Sequence, residues 1–452
     1  MLRIAAAGFL ILGGVLGGIA DGARAEADRP DGSPFALRRA GVMKRIGGSV
    51  AVLAGAGDPR AYVPFRQDNN FYYLTGTEVP GALLLIDGAR RESVLFLPPR
   101  DRDREGWEGE RLYPGPEAQR ATGMDAVLDA ARFGAELDRR AGAAEIIYLP
   151  RSPRETAAVS RDRALAAAGA RRFDPWDGRE TGEAAFERNL RDRLGPSVEI
   201  RDLAPVLDEM RRVKDAWEIA LLREAGRIGA LGIRAAMQMA APGEYEYRLA
   251  ARAHYGFLSR GAAGYAFFPI VASGPNSCIL HYGHNRRKMM AGEMVVMDFG
   301  PDYGYYTADV TRSFPVSGRF SAEQAEVYRA VLAAQQAALE KVRPGATFRE
   351  VEEAARAALE LHGYGGPFPH RFVHYVGMAV HDVGEGAPLE PGVVIAVEPG
   401  VYLKEKNLGI RIEDTVLVTA DGHEVLTSEA PREIAGIEAL MSEPAIVEPM
   451  QD

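Results

Sequence analysis

Five side chains, Asp298, Asp309, His374, Glu398 and Glu413, stand in an order and in local contexts from which two divalent cations could be held side by side. The chemistry this suggests is metal-dependent hydrolysis. The first two lie in a stretch where Val295–Gly300 reads as a strand, Pro301–Gly304 as a turn and Tyr305–Arg312 as a returning strand. A turn pivoting on Tyr303-Gly304 would put Asp298 directly opposite Asp309, on one face, with Cβ atoms roughly 5 Å apart. The second pair repeats the pattern. A strand Val393–Pro399, a loop Lys404–Asn407 and a strand Gly409–Val416 would set Glu398 opposite Glu413. Facing carboxylates destabilise a sheet, and four converging would force protonation unless cations were present. Hard oxygen ligands with one imidazole suit Mn²⁺, Co²⁺ or Zn²⁺ and disfavour an all-oxygen Ca²⁺ cage. Arg411 lies two residues before Glu413, so on a strand both project from one face, where Arg411 could orient Glu413 and offset negative charge. Tyr402, four residues after Glu398, is a candidate either for the pocket wall or for the core.

The elements that must carry these residues are marked by their caps. Asp215 with Glu218, Ser321 with Gln324, and Thr347 with Glu350 each have the capping-box spacing at a helix start. Val327, Tyr328, Val331, Leu332 and Leu339 form a helical apolar stripe ended by Arg343-Pro344-Gly345, and such helices would cover the outer face of the ligand-bearing sheet. Towards the amino end, β-rich runs at Ser49–Leu53, Ala82–Ile86, Ser93–Leu97 and Ile146–Leu149 alternate with helical stretches, which suggests an α/β domain. Gly55-Ala56-Gly57 lacks the third glycine of a dinucleotide loop and reads as a plain turn.

Several segments together resemble the aminopeptidase P group of the pita-bread metallopeptidases, whose relatives include prolidase and methionine aminopeptidase. They are Ser273–Tyr282 (SGPNSCILHY), Met297–Gly300 (MDFG), Ala308–Arg312 (ADVTR), His370–Gly377 (HRFVHYVG), Val380–Gly384 (VHDVG), Val397–Tyr402 (VEPGVY) and Gly409–Asp414 (GIRIED). Phe65–Gly76 (FRQDNNFYYLTG), with Pro98–Asp101 and Trp107–Leu112, resembles that group's amino-terminal domain, which methionine aminopeptidases lack. Without the resemblance, Arg66–Gly76 reads as an aromatic strand ending in a turn. The resemblance implies an α/β amino-terminal domain followed by an α+β pita-bread (creatinase/methionine aminopeptidase-like) catalytic domain. It implies that Asp298 binds one metal ion, His374 and Glu398 the other, and that Asp309 and Glu413 bridge both, with Mn²⁺ the leading candidate. A hydroxide bridging the ions would attack the scissile carbonyl and Glu398 would accept its proton. His381 would stabilise the oxyanion, while His281 and His370 would orient the peptide. The expected activity is release of the first residue from peptides with proline second. A homo-oligomer is implied too, with the amino-terminal domain and Trp107 closing over a neighbour's site.

This chain departs from the group's pattern in two places. Arg371 follows His370 where glycine is common, and it could narrow the pocket or grip a substrate carboxylate, which favours an Xaa-Pro dipeptidase as an alternative. Asn70 stands where some relatives carry an acid, with Asp68 nearby. An alternative of another class, a metal-free binding protein or a creatinase-like enzyme of the same fold, is opposed by the presence of all five candidate ligands.

Composition sets the outer bounds. The chain's 452 residues, 47 % hydrophobic, suffice for two ordinary cores, and a net charge of −9 argues against general nucleic-acid binding. Arg3, the apolar run Ile4–Ala20 and Ala23-Arg24-Ala25 read as a secretory signal peptide cleaved after Ala25, which implies a periplasmic or secreted protein with no membrane attachment of the mature chain. The expected division is a signal peptide at 1–25, an amino-terminal domain at 37–200, a catalytic domain at 205–442 and a tail at 443–452. Cys278 is the only cysteine, so no intrachain disulfide is available. Its closeness to His281 suggests a nucleophile, but a small buried hydrophobe is the better reading.

Overall fold

The computed structural model describes residues 33–59, 62–141, 146–384 and 386–444. The proposed signal peptide and most of the tail fall outside these residues. The amino-terminal half is built on a six-stranded sheet of β1 (Val50–Ala54), β2 (Leu83–Asp87), β3 (Glu92–Leu97), β4 (Ala126–Asp129), β5 (Ile146–Leu149) and β6 (Glu199–Asp202). Its order is β4-β3-β2-β1-β5-β6. The β1/β2 and β2/β3 pairs are antiparallel and the other three are parallel, so the sheet of this α/β half is mixed.

The aromatic run after Arg66 is a helix, Asn69–Thr75, and not a strand. Asp68 accepts a hydrogen bond from the Phe71 amide at the helix start, and Gly76 closes the end in the left-handed conformation with φ 62°. Two end signals that enclose only seven residues override the β preference of Phe71, Tyr72 and Tyr73. Asp68 is therefore occupied as a cap, and Asn70 accepts from Arg211 at 2.7 Å.

The carboxyl-terminal half holds β7 (Gly264–Tyr265), β8 (Ile270–Ser273), β9 (Met294–Phe299), β10 (Pro301–Tyr303), β11 (Tyr306–Thr307) and β12 (Val310–Pro315). These are followed by β13 (Val373–Tyr375), β14 (Val394–Val397), β15 (Gly400–Leu403), β16 (Leu408–Arg411), β17 (Asp414–Val418) and β18 (His423–Val425). They form ladders β12-β9-β8, β11-β10-β7, β13-β14-β17-β18 and β15-β16. All three expected capping boxes are present, opening helices Ala216–Met239, Ala322–Leu339 and Phe348–Leu361. The apolar stripe of the second of these is buried, and it packs on β14, β15 and β16.

The two hairpins differ in how closely they follow the expected register. Val397 pairs with Asp414 on one side and Gly400 with Arg411 on the other, so a single register runs through the interruption and sets Glu398 opposite Glu413, as expected. In the first hairpin Asp298 pairs with Thr311, not Asp309. The turn is centred on Gly304-Tyr305, with φ 57° and 72°, one residue later than expected. Two positive φ values define the hairpin turn that matches strand twist, and moving its centre by one residue moves the pairing by two. Because side chains alternate with period two, Asp309 stays on the face of Asp298 as its diagonal neighbour.

Tyr305 tolerates its backbone conformation because the amino-terminal half captures its ring. It stacks on Tyr72 with centroids 3.5 Å apart, and its hydroxyl accepts from the Gln67 amide at 2.9 Å and donates to Glu78 at 2.7 Å. Between β9 and β10, Gly300 lies so close to the returning strand that a Cβ would sit 1.6 Å from the Ala308 carbonyl oxygen.

Candidate metal centre and active site

The hairpin faces and β13 converge on one point. Asp309, His374 and Glu413 each offer a ligand atom, and these atoms lie within 4.8 Å of one another. His374 Nε2 is 3.7 Å from Asp309 Oδ2, 3.7 Å from Glu398 Oε1 and 3.6 Å from Glu413 Oε1. These gaps are too long for hydrogen bonds. They match donors sharing an ion, each roughly 2.1 Å from it. The other ring nitrogen, Nδ1, lies 3.1 Å from the Tyr375 carbonyl, so Nδ1–H donates there and the Nε2 lone pair faces the carboxylates.

The carboxylates are under electrostatic stress. Asp298, Asp309 and Glu413 are buried, and one oxygen of each lacks a hydrogen-bond partner. Burial, followed by the neighbouring carboxylates, pushes Asp309 and Glu398 well above the usual carboxylate range. Asp298 and Glu413 are raised by burial as well, with Arg411 opposing the rise in both. Orphaned, buried, mutually repelling oxygens around an imidazole lone pair are what divalent ions would satisfy. The residues present therefore fit such ions.

Arg411 does not hold Glu413 as expected. Its guanidinium reaches Asp298 Oδ2 at 2.5 Å, the Tyr402 hydroxyl at 2.9 Å and the Thr311 hydroxyl at 3.2 Å, while Thr311 donates to Glu413 Oε2 at 2.7 Å. The shifted register explains this, because Thr311 now faces Asp298 and stands between Arg411 and Glu413. Tyr402 in turn contacts His370 Nε2 at 3.1 Å, so an arginine–tyrosine–histidine chain links the carboxylates to the substrate side. Burial holds His370 down to about 4. His381 stacks on His374 with centroids 3.9 Å apart and planes within 3°, and the proximity of His374, then burial, lowers it to about 3. Both are neutral imidazoles near neutral pH.

Asp298, Asp309, His370, His374, His381, Glu398, Arg411 and Glu413 line one cavity of about 370 Å³, together with His281, Arg371, Phe267, Phe268, Val373 and Val380, while Thr311 and Tyr402 stand behind its wall. Cys278 is not among the lining residues, and burial raises its thiol pKa, so it is no candidate nucleophile. Sequence reasoning missed Ala158, Ser160 and Arg163, which the amino-terminal half contributes to the same wall. It also missed the anchor behind them, where the buried Arg211 joins Glu155 at 3.0 Å to Asp382 at 2.6 Å, next to His381. No residue spacing announces this anchor, since its members come from distant parts of the chain.

Residues 220–420 match the model of metallopeptidase family M24, and residues 35–148 match the aminopeptidase P N-terminal domain. The chain belongs to metallopeptidase family M24. A Xaa-Pro aminopeptidase of Haemophilus influenzae is 34 % identical over 414 residues, covering 84 % of this chain and 89 % of the relative. A putative aminopeptidase P from Bacillus anthracis superposes with TM-score 0.81 at 31 % identity, covering 90 % of this chain and 97 % of that structure. The zinc-substituted E. coli aminopeptidase P in complex with product superposes with TM-score 0.77 at 32 % identity, covering 90 % and 97 %. Within M24, then, the chain is a member of the aminopeptidase P group, a metallo-aminopeptidase with an amino-terminal domain ahead of a pita-bread catalytic domain.

Proposed function

We propose that this enzyme releases the amino-terminal residue from peptides with proline in second position, using two divalent ions held by Asp298, Asp309, His374, Glu398 and Glu413. The observation that carries this reading is the convergence of five such side chains, three with unpartnered buried oxygens, on the floor of a cavity. When bound, the ions would supply a strong nucleophile from water at neutral pH and polarise the scissile carbonyl. Glu398 accepts the proton of the attacking water. His381 donates an N–H to the developing oxyanion, and His281 and His370 orient the peptide. Arg411 fixes Asp298 and, through Tyr402, His370. The apolar wall of Phe267, Ile270, Leu280, Val373 and Val380 suits a pyrrolidine ring, and a proline nitrogen carries no N–H that would need a partner there.

The same reading takes Mn²⁺ as the working ion, supported by the mixed oxygen and imidazole donor set. It takes the mature chain to be exported after cleavage following Ala25, supported by the apolar run and small-residue site at the start of the sequence. It also takes the enzyme to be a homo-oligomer, supported by Trp107, which is 89 % exposed on the amino-terminal half. The test of function is hydrolysis of Ala-Pro-Ala beside Ala-Pro and Ala-Ala-Ala, with Mn²⁺ and with chelator. Chelator-sensitive cleavage of Ala-Pro-Ala alone is expected, and cleavage of only Ala-Pro would make the enzyme a dipeptidase.

A further inference from the structure

The cavity is electrically lopsided. Its floor carries Asp298, Asp309, Glu398 and Glu413, while Arg163 and Arg371 line its wall. Both arginines are exposed, and among the described residues neither forms an ion pair. Arg371 adjoins His370. Arg163 stands near enough to His281 and His381 for its charge to oppose their protonation, behind the larger effects of burial and, at His381, of His374 and of the adjacent Asp162, which acts in the opposite direction.

The backbone that carries Arg163 is firmly placed. It belongs to the first turn of the helix Arg161–Phe173, reached by a strap from Glu155 that lies against the His381 loop. The Val380 amide donates to the Ala157 carbonyl at 2.9 Å. Glu155 accepts from Arg161 at 2.5 and 2.7 Å and from Arg211 at 3.0 Å, and Arg161 also pairs with Asp208. Arg211 closes the frame on Asp382 at 2.6 Å. The strap thus fixes the helix start that presents Arg163 to the cavity, while the Arg163 side chain forms no ion pair among the described residues and has only the adjacent Asp162 as a nearby counter-charge on its own helix turn.

We infer that Arg163 and Arg371 together recognise the free carboxyl terminus of short peptides, making them specificity-determining residues for the activity proposed above, on which this inference rests. An aminopeptidase must bring the substrate's amino end to the acidic floor. In a short zwitterionic peptide the opposite charge then lies only two or three residues away, roughly 7–10 Å along an extended chain. A cavity of about 370 Å³ is at the small end of ligand sites and suits a substrate of that length. Two guanidiniums offering forked donors match a carboxylate, and covering by the peptide excludes the water that screens them.

The test compares Ala-Pro-Ala with its carboxyl-terminal amide, which removes one charge and little else, on the Mn²⁺-loaded wild type, R163M, R371M and the double variant. Both arginines are exposed, so the substitutions should leave folding intact. The wild type should prefer the acid by about tenfold or more in kcat/KM, chiefly through KM. Each single variant should reduce the preference and the double variant should abolish it, while kcat/KM for the amide stays near that of the wild type. Equal use of acid and amide by the wild type, or a preference that survives in the double variant, would overturn the inference while leaving the peptidase reading intact. Hydrolysis of neither peptide would overturn the peptidase reading itself, and this inference with it.

Discussion

Replacing Asp309 by Asn should make the metal-stripped protein more stable while removing its response to metal. Asp309 and Glu413 have ligand atoms within 4.8 Å of one another, and at an effective dielectric of about 20 two like charges at that distance repel by about 3.5 kcal/mol. The stripped protein could escape by protonating Asp309, whose folded-state pKa is raised, first by burial and then by Glu413. At pH 8, holding a proton on a group whose unfolded pKa is about 3.9 costs about 5.6 kcal/mol, so the repulsion is the smaller penalty and persists. At pH 5 the same proton costs only about 1.5 kcal/mol, which caps the penalty there. The sign follows. A carboxylate with a raised folded pKa binds protons more tightly in the native state, so stripped wild type loses stability as pH rises above the unfolded value and regains it as pH falls. Asp309→Asn carries no such penalty, and its stripped form should exceed stripped wild type by about 3 kcal/mol at pH 8 and about 1 kcal/mol at pH 5. Urea denaturation of chelator-treated proteins at both pH values reads the difference, and a repeat with Mn²⁺ should stabilise wild type alone. A stripped variant less stable than stripped wild type at pH 8, or equal stabilisation of both by Mn²⁺, would refute the reasoning.

Other consequences can be checked directly. His381→Ala should retain metal while kcat falls about 10²- to 10³-fold, and metal loss measured by plasma emission would make His381 a ligand instead. Gly300→Ala would drive a Cβ to within 1.6 Å of the Ala308 oxygen, so it should cost about 3 kcal/mol or more in urea titrations; a smaller loss would mean that the hairpin can open there. Arg211→Met removes one cation from the buried Glu155 and Asp382, which keep Arg161 and Lys214 as partners, and should cost about 1–3 kcal/mol, visible as a fall in Tm; a variant as stable as wild type would show that this anchor contributes little.

The parts of this molecule that follow local rules could be read from the sequence. The three capping boxes are made by residues within one helical turn, so Asp215, Ser321 and Thr347 marked their helices without help from the rest of the fold. The register that faces Glu398 with Glu413 was equally legible, because Asn407 takes a left-handed conformation, φ 52°, that suits its residue type and ends the loop where expected. The first hairpin was not legible to the residue. Its turn requires a positive φ at Tyr305, which a tyrosine does not advertise, and the cause is a stack on Tyr72 from more than two hundred positions earlier. That one shift also redirected Arg411 to Asp298. The alternation of faces survived because the error was two residues, which is why the five candidate ligands were found correctly grouped even though one pairing was not. The strap Glu155–Arg163 left no signal, since its function depends on Asp382 and Arg211 meeting it across the fold.

The account stands most directly on the dependence of proline-specific cleavage on metal. Chelator-stripped enzyme should be titrated with Mn²⁺ while release of alanine from Ala-Pro-Ala is followed. The rate should start near zero and rise to a plateau at about two ions per chain, as expected for a two-metal site. Undiminished cleavage in excess chelator, or no cleavage at any Mn²⁺ concentration, would contradict the assignment of this cavity as a dinuclear Xaa-Pro aminopeptidase site.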